Sequence, residues 1–423
     1  MSITAASVEP EVLDLPWQLA LEQWPEHTIA ALPKGISRHV VRFVHLGEHV
    51  VAVKETSEQL ARHEYELLRS LRRLDIPCVK PLAVITDRAA EGTPLPAALV
   101  TRHLRFSLPY RALFSQTLRP ETATRLVDAL ALLLARLHIV GFFWGDVSLS
   151  NTLFRRDAGA FAAYLVDAET GRLYDTISDG QREHDLDIAR VNIAGELLDL
   201  QAGGRLDEDS DPVAISDRIV EQYRTLWREL TEWERFDQTE RWRINERVQR
   251  LNDLGFDIEE LAIVTDETGS QLRIQPKVVD AGHHSRRLLR LTGLDAEENQ
   301  ARRLLNDLDA YRASSTKPDA DEEVVAHEWT ERIFEPVIRA IPRELAGKLE
   351  PAELFHQLLD HRWFLSEQEG RNVPLAEAVS SYVDTVLRHR RDEAAVFNPP
   401  TGVFTLPIPI VGEEPEADWR DKV

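Results

Sequence analysis

The stretch Trp144-Gly145-Asp146-Val147-Ser148-Leu149-Ser150-Asn151, with the segment that follows it to Asp167, decides how this chain is read. Thr152-Leu153-Phe154 and Ala162-Ala163-Tyr164-Leu165-Val166 read as two strands, and Arg156-Asp157-Ala158-Gly159 between them supplies turn chemistry. Asn151 and Asp167 lie eight residues either side of Gly159, so an antiparallel hairpin returns them side by side at its open end. Asp146 sits on the loop just ahead of the first strand. Two hard-oxygen ligands suited to magnesium, an amide and a carboxylate, therefore lie beside a second carboxylate free to act as a base. That is the minimum equipment for phosphoryl transfer from a nucleotide.

The spacing Asp146-x-x-x-x-Asn151, with Asp167 after a hydrophobic strand, resembles the catalytic loop and metal-binding Asp of the protein-kinase-like superfamily. Its Trp-Gly-Asp form is closer to the His-Gly-Asp of lipopolysaccharide and aminoglycoside kinases than to the His-Arg-Asp of ordinary protein kinases. The resemblance implies an α+β, bilobal protein-kinase-like fold and the use of ATP with Mg²⁺ or Mn²⁺. It covers residues 30 to 255, a little over half the chain. A small nucleotide-binding lobe falls at 31–104 and a large catalytic lobe at 105–255, behind an N-terminal segment at 1–30. Residues 256–397 resemble a domain of unknown function that accompanies such modules, mostly helical with one hairpin. The Pro- and acid-rich residues 398–423 read as an extended or disordered tail.

The order of elements fits that fold. Val40–Val44 and His49–Lys54 read as strands around Leu46-Gly47-Glu48, followed by a helix from about Ser57 to Leu74. Pro77 and Pro81 mark an extended crossing before strands at Leu82–Thr86 and Ala97–Thr101. A short helix is expected around Trp17-Gln18-Leu19-Ala20-Leu21. A helix from about Glu121 to His138 places Leu126, Leu130, Leu133, Leu134 and Leu137 on one face and delivers the catalytic loop. Another spans about Asp185 to Leu200. Gly203–Pro212 reads as an exposed linker, and Trp- and Glu/Arg-rich helices follow from about Ala214 to Leu254. Beyond them come a hairpin, Leu261–Thr265 with Gln271–Pro276 around Asp266–Gly269, and helices over about 282–313, 321–340, 351–367 and 374–396.

The resemblance assigns roles residue by residue. Val51-Ala52-Val53-Lys54 matches the strand whose lysine reaches the nucleotide phosphates. In the next helix Glu64 shares a face with Leu67, Leu68 and Leu71. A carboxylate on such a stripe needs a cation, and Lys54 is the candidate, while Glu66 points to solvent. The phosphate-covering loop falls at Lys34–His39, where Gly35 is the only glycine and Ser37 offers a hydroxyl. Val100-Thr101-Arg102-His103-Leu104 falls where the lobes connect, so the backbone at Val100 and Arg102 is expected to meet the adenine edge. Asp146 is the general base, and Asn151 and Asp167 take the metal. Asp167-Ala168-Glu169 replaces Asp-Phe-Gly, and Ser148 replaces the catalytic-loop lysine of protein kinases. Asp185 and Asp187 resemble the structural acid that holds the catalytic loop.

Composition bounds the function. The chain has 423 residues, 43% of them hydrophobic, a net charge of −22 and one cysteine, Cys78. The charge argues against binding nucleic acid or an anionic membrane surface, and the lone cysteine suits a reducing cytoplasm. There is no signal-peptide pattern and no membrane span: the most apolar run, Leu126–Trp144, contains Asp128, Arg136 and His138. In the C-terminal half, Gly282-His283-His284-Ser285-Arg286-Arg287 opens a helix. Its N–H groups and Arg side chains make His283, His284, Arg286 and Arg287 a candidate anion or acceptor site. His356 and His361 lie about 140° apart on a helix, which speaks against a shared metal. Trp329, Trp363 and Phe364 read as core anchors. The leading reading is a phosphotransferase acting on a hydroxyl of a small molecule, glycan or protein. The alternative is a nucleotide-binding pseudokinase acting through its C-terminal domain.

Overall fold

Alternating valines build the centre of the small lobe. In this computed structural model the described residues are 1–5, 9–30, 39–47, 49–113, 120–237, 242–253, 256–265, 271–314 and 321–390. Strands β1 (Ser2–Ala5), β2 (Val41–Leu46), β3 (His49–Thr56), β4 (Lys80–Thr86) and β5 (Ala97–Arg102) form an antiparallel sheet of order β1-β4-β5-β3-β2. Helix α1 (Glu58–Arg73) lies between β3 and β4 in sequence, and the Ser57 hydroxyl caps it by accepting from Leu60 N at 3.3 Å. Leu67, Leu68 and Leu71 on its inner face are buried.

The N-terminal segment belongs to this lobe and does not stand apart. The helix expected at Trp17–Leu21 does not form, because Pro16 and Pro25 interrupt the segment and it folds as short 3₁₀ turns at Pro10–Asp14, Leu21–Gln23 and Glu26–Thr28. Trp17 and Trp24 meet edge to face at 5.1 Å and are buried with Val44, Val51, Val53 and Leu82. β1 pairs with β4, Ser2 opposite Thr86.

In the large lobe, α2 (Pro120–Ile139) buries all five leucines of the expected stripe. Short strands β6 (Phe142–Phe143) and β9 (Arg172–Leu173) pair across the catalytic loop, which leads into the hairpin β7 (Thr152–Asp157) and β8 (Ala160–Leu165). The hairpin turns on two residues, Ala158 and Gly159, both at positive φ (51° and 85°). This sets Thr152 opposite Leu165 and Asn151 opposite Val166, with Val166 N donating to Asn151 O at 3.1 Å. Asp167 thus lies one residue past Asn151's partner, a one-residue correction to the register taken from Gly159 alone. Helix α3 (Asp179–Ala202) opens on a capping box formed by Ser178 and Gln181, and α4 (Pro212–Thr231) packs against α2 and α3.

The C-terminal region is mixed at its start and helical afterwards. Strands β10 (Glu234–Asp237), β11 (Phe256–Thr265) and β12 (Gln271–Ala281) form a sheet of order β10-β12-β11, with α5 (Trp242–Asp253) preceding β11. The single helix expected over 282–313 is two, α6 (His283–Thr292) and α7 (Glu298–Ser314), because Gly293 at φ 75° ends the first. α8 (Glu322–Trp329) runs through a π-helical turn, Thr330–Phe334, into α9 (Glu335–Ala340). Pro336 lacks the N–H that α-helical pairing to Arg332 needs. Helices α10 (Pro351–Glu369) and α11 (Leu375–Thr385) complete a core around Trp329, Phe355, Leu358 and Tyr382. Trp363 is no core anchor: it lies about 140° round the helix from Leu358 and is 50% exposed. The covering loop at 34–38, the hairpin turn at Asp266–Gly269 and the tail from 398 lie outside the described residues.

The C-terminal helices grip the tip of the β7–β8 hairpin. Gln300 N and Asn299 Nδ2 donate to Asp157 (2.8 and 2.9 Å), and Ala158 N donates to Glu353 Oε2 at 3.0 Å. Arg155 bridges Glu297 and Glu350, and Tyr164 donates its hydroxyl to Glu297 at 2.7 Å. Burial, aided by the Glu297 charge, pushes the Asp157 carboxyl up to about 7.

Two expectations follow from this packing. A Cβ on Gly141, at φ 82°, would stand 2.0 Å from the Tyr174 carbonyl oxygen, whereas one on Gly159 would meet nothing within 4 Å. Gly141→Ala should therefore cost at least about 2 kcal/mol more than Gly159→Ala in urea denaturation, since only the first adds a clash to the positive-φ strain. Equal losses would show that the backbone at Tyr174 yields. Because Asp157 holds its proton more tightly folded than unfolded, its contribution is full below about pH 4 and is lost as pH rises through 7. Asp157→Asn should remove up to one proton's share of that slope, about 1.4 kcal/mol per pH unit, in denaturation curves at pH 5 and pH 7. An unchanged slope would mean that Asp157 titrates normally.

Candidate active site

The catalytic loop is fixed from below by one face of α3. Asp185, Asn192 and Glu196, at i, i+7 and i+11, all point to it. The fully buried Asp185 carboxylate accepts from Trp144 N (2.9 Å) and Gly145 N (2.7 Å). It also accepts from His138 Nε2 (3.1 Å), whose Nδ1 meets the Tyr223 hydroxyl at 2.6 Å. Burial keeps the His138 pKa below its ordinary value against the pull of Asp185, so the ring is neutral and the two partners assign its proton to Nε2. Asn192 Nδ2 donates to Val147 O (3.1 Å), and the Glu196 carboxylate accepts from Leu149 N and Ser150 N, both at 2.9 Å. Asn192 and Glu196 escape a reading of the loop alone. Their polar stripe along an otherwise apolar helix face is the signal that could have found them. Asp187, by contrast, is exposed.

The two departures from the kinase pattern in this loop have structural work. Trp144 is fully buried, and its indole N–H donates to Asp167 O at 2.9 Å, tying the loop to the end of the hairpin. The Ser148 hydroxyl is buried and accepts from Asn151 N at 3.1 Å.

Lys54 gathers three carboxylates. Its Nζ lies 3.0 Å from Glu64 Oε2, 2.9 Å from Asp167 Oδ2 and 2.8 Å from Glu169 Oε2. Burial pulls its pKa down, but the charges of Glu64 and Asp167, with hydrogen bonds to Glu169 and Asp167, outweigh that and hold it above the ordinary lysine range. Burial and then the Asp167 charge push Glu64 up to about 7, against the pull of Lys54. Glu169 turns inward and also meets His39 Nε2 at 2.9 Å. Glu66 is exposed and pairs with Arg69.

Asp146 is half-buried on its loop. Its Oδ2 accepts from Asn151 Nδ2 at 3.0 Å, and its Oδ1 from Asn192 Nδ2 at 3.4 Å. With its amide nitrogen spent on Asp146, Asn151 keeps Oδ1 as a free acceptor among the described residues. Asp167, one residue past Asn151's partner, offers a carboxylate that is one-third exposed. An amide oxygen and a carboxylate on neighbouring strand ends are hard donors of the kind magnesium takes, so the pair fits that ion. Glu64, Asp167 and Glu169 also lie with carboxylate oxygens within 4.8 Å of one another, the space between them shared with Lys54.

Other expected positions fall elsewhere. Val100 is buried in the middle of β5, paired with Val53 on one side and Ala83 on the other, so its backbone is committed to the sheet. Arg102 ends the strand and pairs with Glu9. The connection between the lobes follows at His103–Ser107, a slip of about three residues. Gly35 and Ser37 lie outside the described residues.

The Gly282–Arg287 helix start is filled from within. Glu298 accepts from His284 N (2.8 Å), Ser285 N (3.1 Å) and His284 Nδ1 (2.7 Å). These contacts outweigh burial and hold its pKa below the ordinary carboxylate value. Arg287 pairs with Glu322 at 2.5 Å, Arg286 lies 3.9 Å from Asp75, and His283 packs edge-on against His284. The segment borders a cavity with Asp75 and Arg136, away from Asp146. It is an internal helix cap, not an open anion site.

Residues 43–193 match the model of the lipopolysaccharide kinase (Kdo/WaaP) family, and residues 225–387 that of a domain of unknown function (DUF4032). No curated protein matches the chain. Among solved structures, one described as WaaP in complex with acyl carrier protein aligns with 60% of this chain and 99% of its own. Its identity is 15% and its TM-score 0.37. No helix among the described residues is long and apolar enough to cross a membrane.

The Lys54–Glu64 contact generates its own test. Lys54→Ala and Glu64→Ala should each weaken ATP binding in calorimetry, and the double variant should lose less than the sum. A coupling of about 0.5–3 kcal/mol is expected for a contacting pair. Strict additivity would move Lys54's functional partner to Asp167 or Glu169.

Proposed function

Because the chain carries a Kdo/WaaP-family kinase domain followed by a DUF4032 domain, we propose that it is an ATP- and magnesium-dependent phosphotransferase. Its acceptor is a hydroxyl on a small molecule, glycan or protein. The observation that carries the reading is the convergence of Lys54, Glu64 and Asp167, from three separate elements, beside a loop that presents Asp146. Lys54, kept protonated by its carboxylates, is charged to meet the nucleotide phosphates. Asn151 and Asp167 are the residues to hold magnesium, which when bound neutralises phosphate charge. Asp146, oriented by the amides of Asn151 and Asn192, accepts the proton of the attacking hydroxyl. α3 holds the loop so that this carboxylate need not be reoriented at the moment of reaction.

One observation favours the pseudokinase reading instead: Glu169 and His39 add an acid and a base to the Lys54 cluster, which competes for the lysine that the nucleotide needs. Incubation with γ-labelled ATP and magnesium or manganese separates the two. The phosphotransferase reading expects slow hydrolysis or self-labelling by the purified chain. Asp146→Asn should lower turnover by about 10²–10⁴-fold with ATP affinity little changed, and Asp167→Asn should remove the metal dependence of ATP binding. No transfer or hydrolysis with either metal hands the chain to the pseudokinase reading. Metal dependence unchanged in Asp167→Asn sinks the metal assignment.

A further inference from the structure

Behind the connection between the lobes lies a cavity of about 550 Å³, within the range of small-ligand sites. Its walls come from the end of α1 and the start of β4, from residues 103–106, from the β7–β8 hairpin and from residues 346–351 of the C-terminal region. None of Lys54, Glu64, Asp146, Asn151 or Asp167 borders it.

Its charge is the opposite of the chain's. Arg72, Lys80, Arg102, Arg105 and Arg155 face it, against the single carboxylate of Glu350. Arg102 has Glu9, and Arg155 has Glu297 and Glu350. For Arg72, Lys80 and Arg105, no carboxylate among the described residues lies within 4.0 Å. In a protein with 72 acids against 50 bases, three cations with no carboxylate in contact around one concavity give it a local positive field. Two of them are guanidinium forks, the group suited to phosphate oxygens, and Lys80 adds a compact positive charge. Val79, Leu104 and Phe106 supply an apolar side, with the Arg105 guanidinium 5.6 Å from the centre of the Phe106 ring. An extended polyanion would be repelled by the remaining surface, so the complement is compact.

We infer that this cavity binds a small phosphorylated metabolite, its phosphate held between Arg72, Lys80 and Arg105 and its body against Phe106. Such a ligand touches both lobes' connecting segment and the C-terminal region, and so couples them independently of the catalytic cleft.

The test is calorimetric titration of the full chain with inorganic pyrophosphate in EDTA, so that metal-dependent binding at the cleft is absent. ADP and glucose 6-phosphate, titrated in parallel, distinguish a nucleotide from a sugar phosphate. The expected result is saturable binding of one equivalent of at least one of the three, weakened at least about tenfold in Arg72→Ala/Arg105→Ala. It should persist in Lys54→Ala, which separates this site from the proposed nucleotide cleft. Should the double variant melt early, Lys80→Gln takes its place. Binding of none of the three at millimolar concentration, binding equally tight in the cavity variant, or binding lost in Lys54→Ala alone overturns the inference.

Discussion

Everything at the site hangs on one buried carboxylate. Asp185 is fully enclosed in the large lobe, where an unpaired charge would be prohibitive, and it is matched by three donors: two catalytic-loop amides and the neutral ring of His138. Those amides belong to Trp144 and Gly145, immediately before Asp146, so the buried acid fixes the backbone from which the candidate base projects. The constraint extends outward in both directions. Through His138 it reaches Tyr223 on α4, and through the Trp144 indole it reaches the carbonyl of Asp167. The loop, the open end of the hairpin and two large-lobe helices therefore share one hydrogen-bonded frame.

The hairpin that carries Asn151 and Asp167 is held at its other end as well. Its tip, Asp157 and Ala158, is bonded to Gln300, Asn299 and Glu353 of the C-terminal region. The hairpin also pairs with Leu108–Pro109 along its first strand and packs on α2. Its open end is tied to the loop through Trp144 and its tip to helices of the DUF4032 segment, so the second region adds polar partners to the first.

What the sequence reveals is what is local or periodic. Asp146, Asn151 and Asp167 are legible because loop, strand and turn lie within about two dozen residues, and Glu64 because it interrupts a leucine stripe on one helix. The fold of the leucine-rich α2 follows from the same periodicity. Long-range choices are not legible. The cap of α6 is Glu298, on the next helix, and nothing in Gly282–Arg287 announces that its N–H groups already have a partner. Likewise Glu196 serves a loop 46 residues earlier. The N-terminal segment misleads because its apolar residues look helical, while prolines and a sheet edge far along the chain, at Ala83–Thr86, decide its course.

The pairing of the hairpin tip has a consequence for how the chain is made. Ala158 N finds its acceptor in Glu353, 195 residues further on, and Asp157 finds Gln300 after 143. At ordinary ribosomal speeds of about 5–20 residues per second the wait is about 7–40 s. During that interval the nascent kinase domain has its catalytic loop but not the partners of its hairpin tip. Completion of the hairpin tip's hydrogen bonding is thus timed by translation of the second half, so a truncated product released early would lack the tip's clamp.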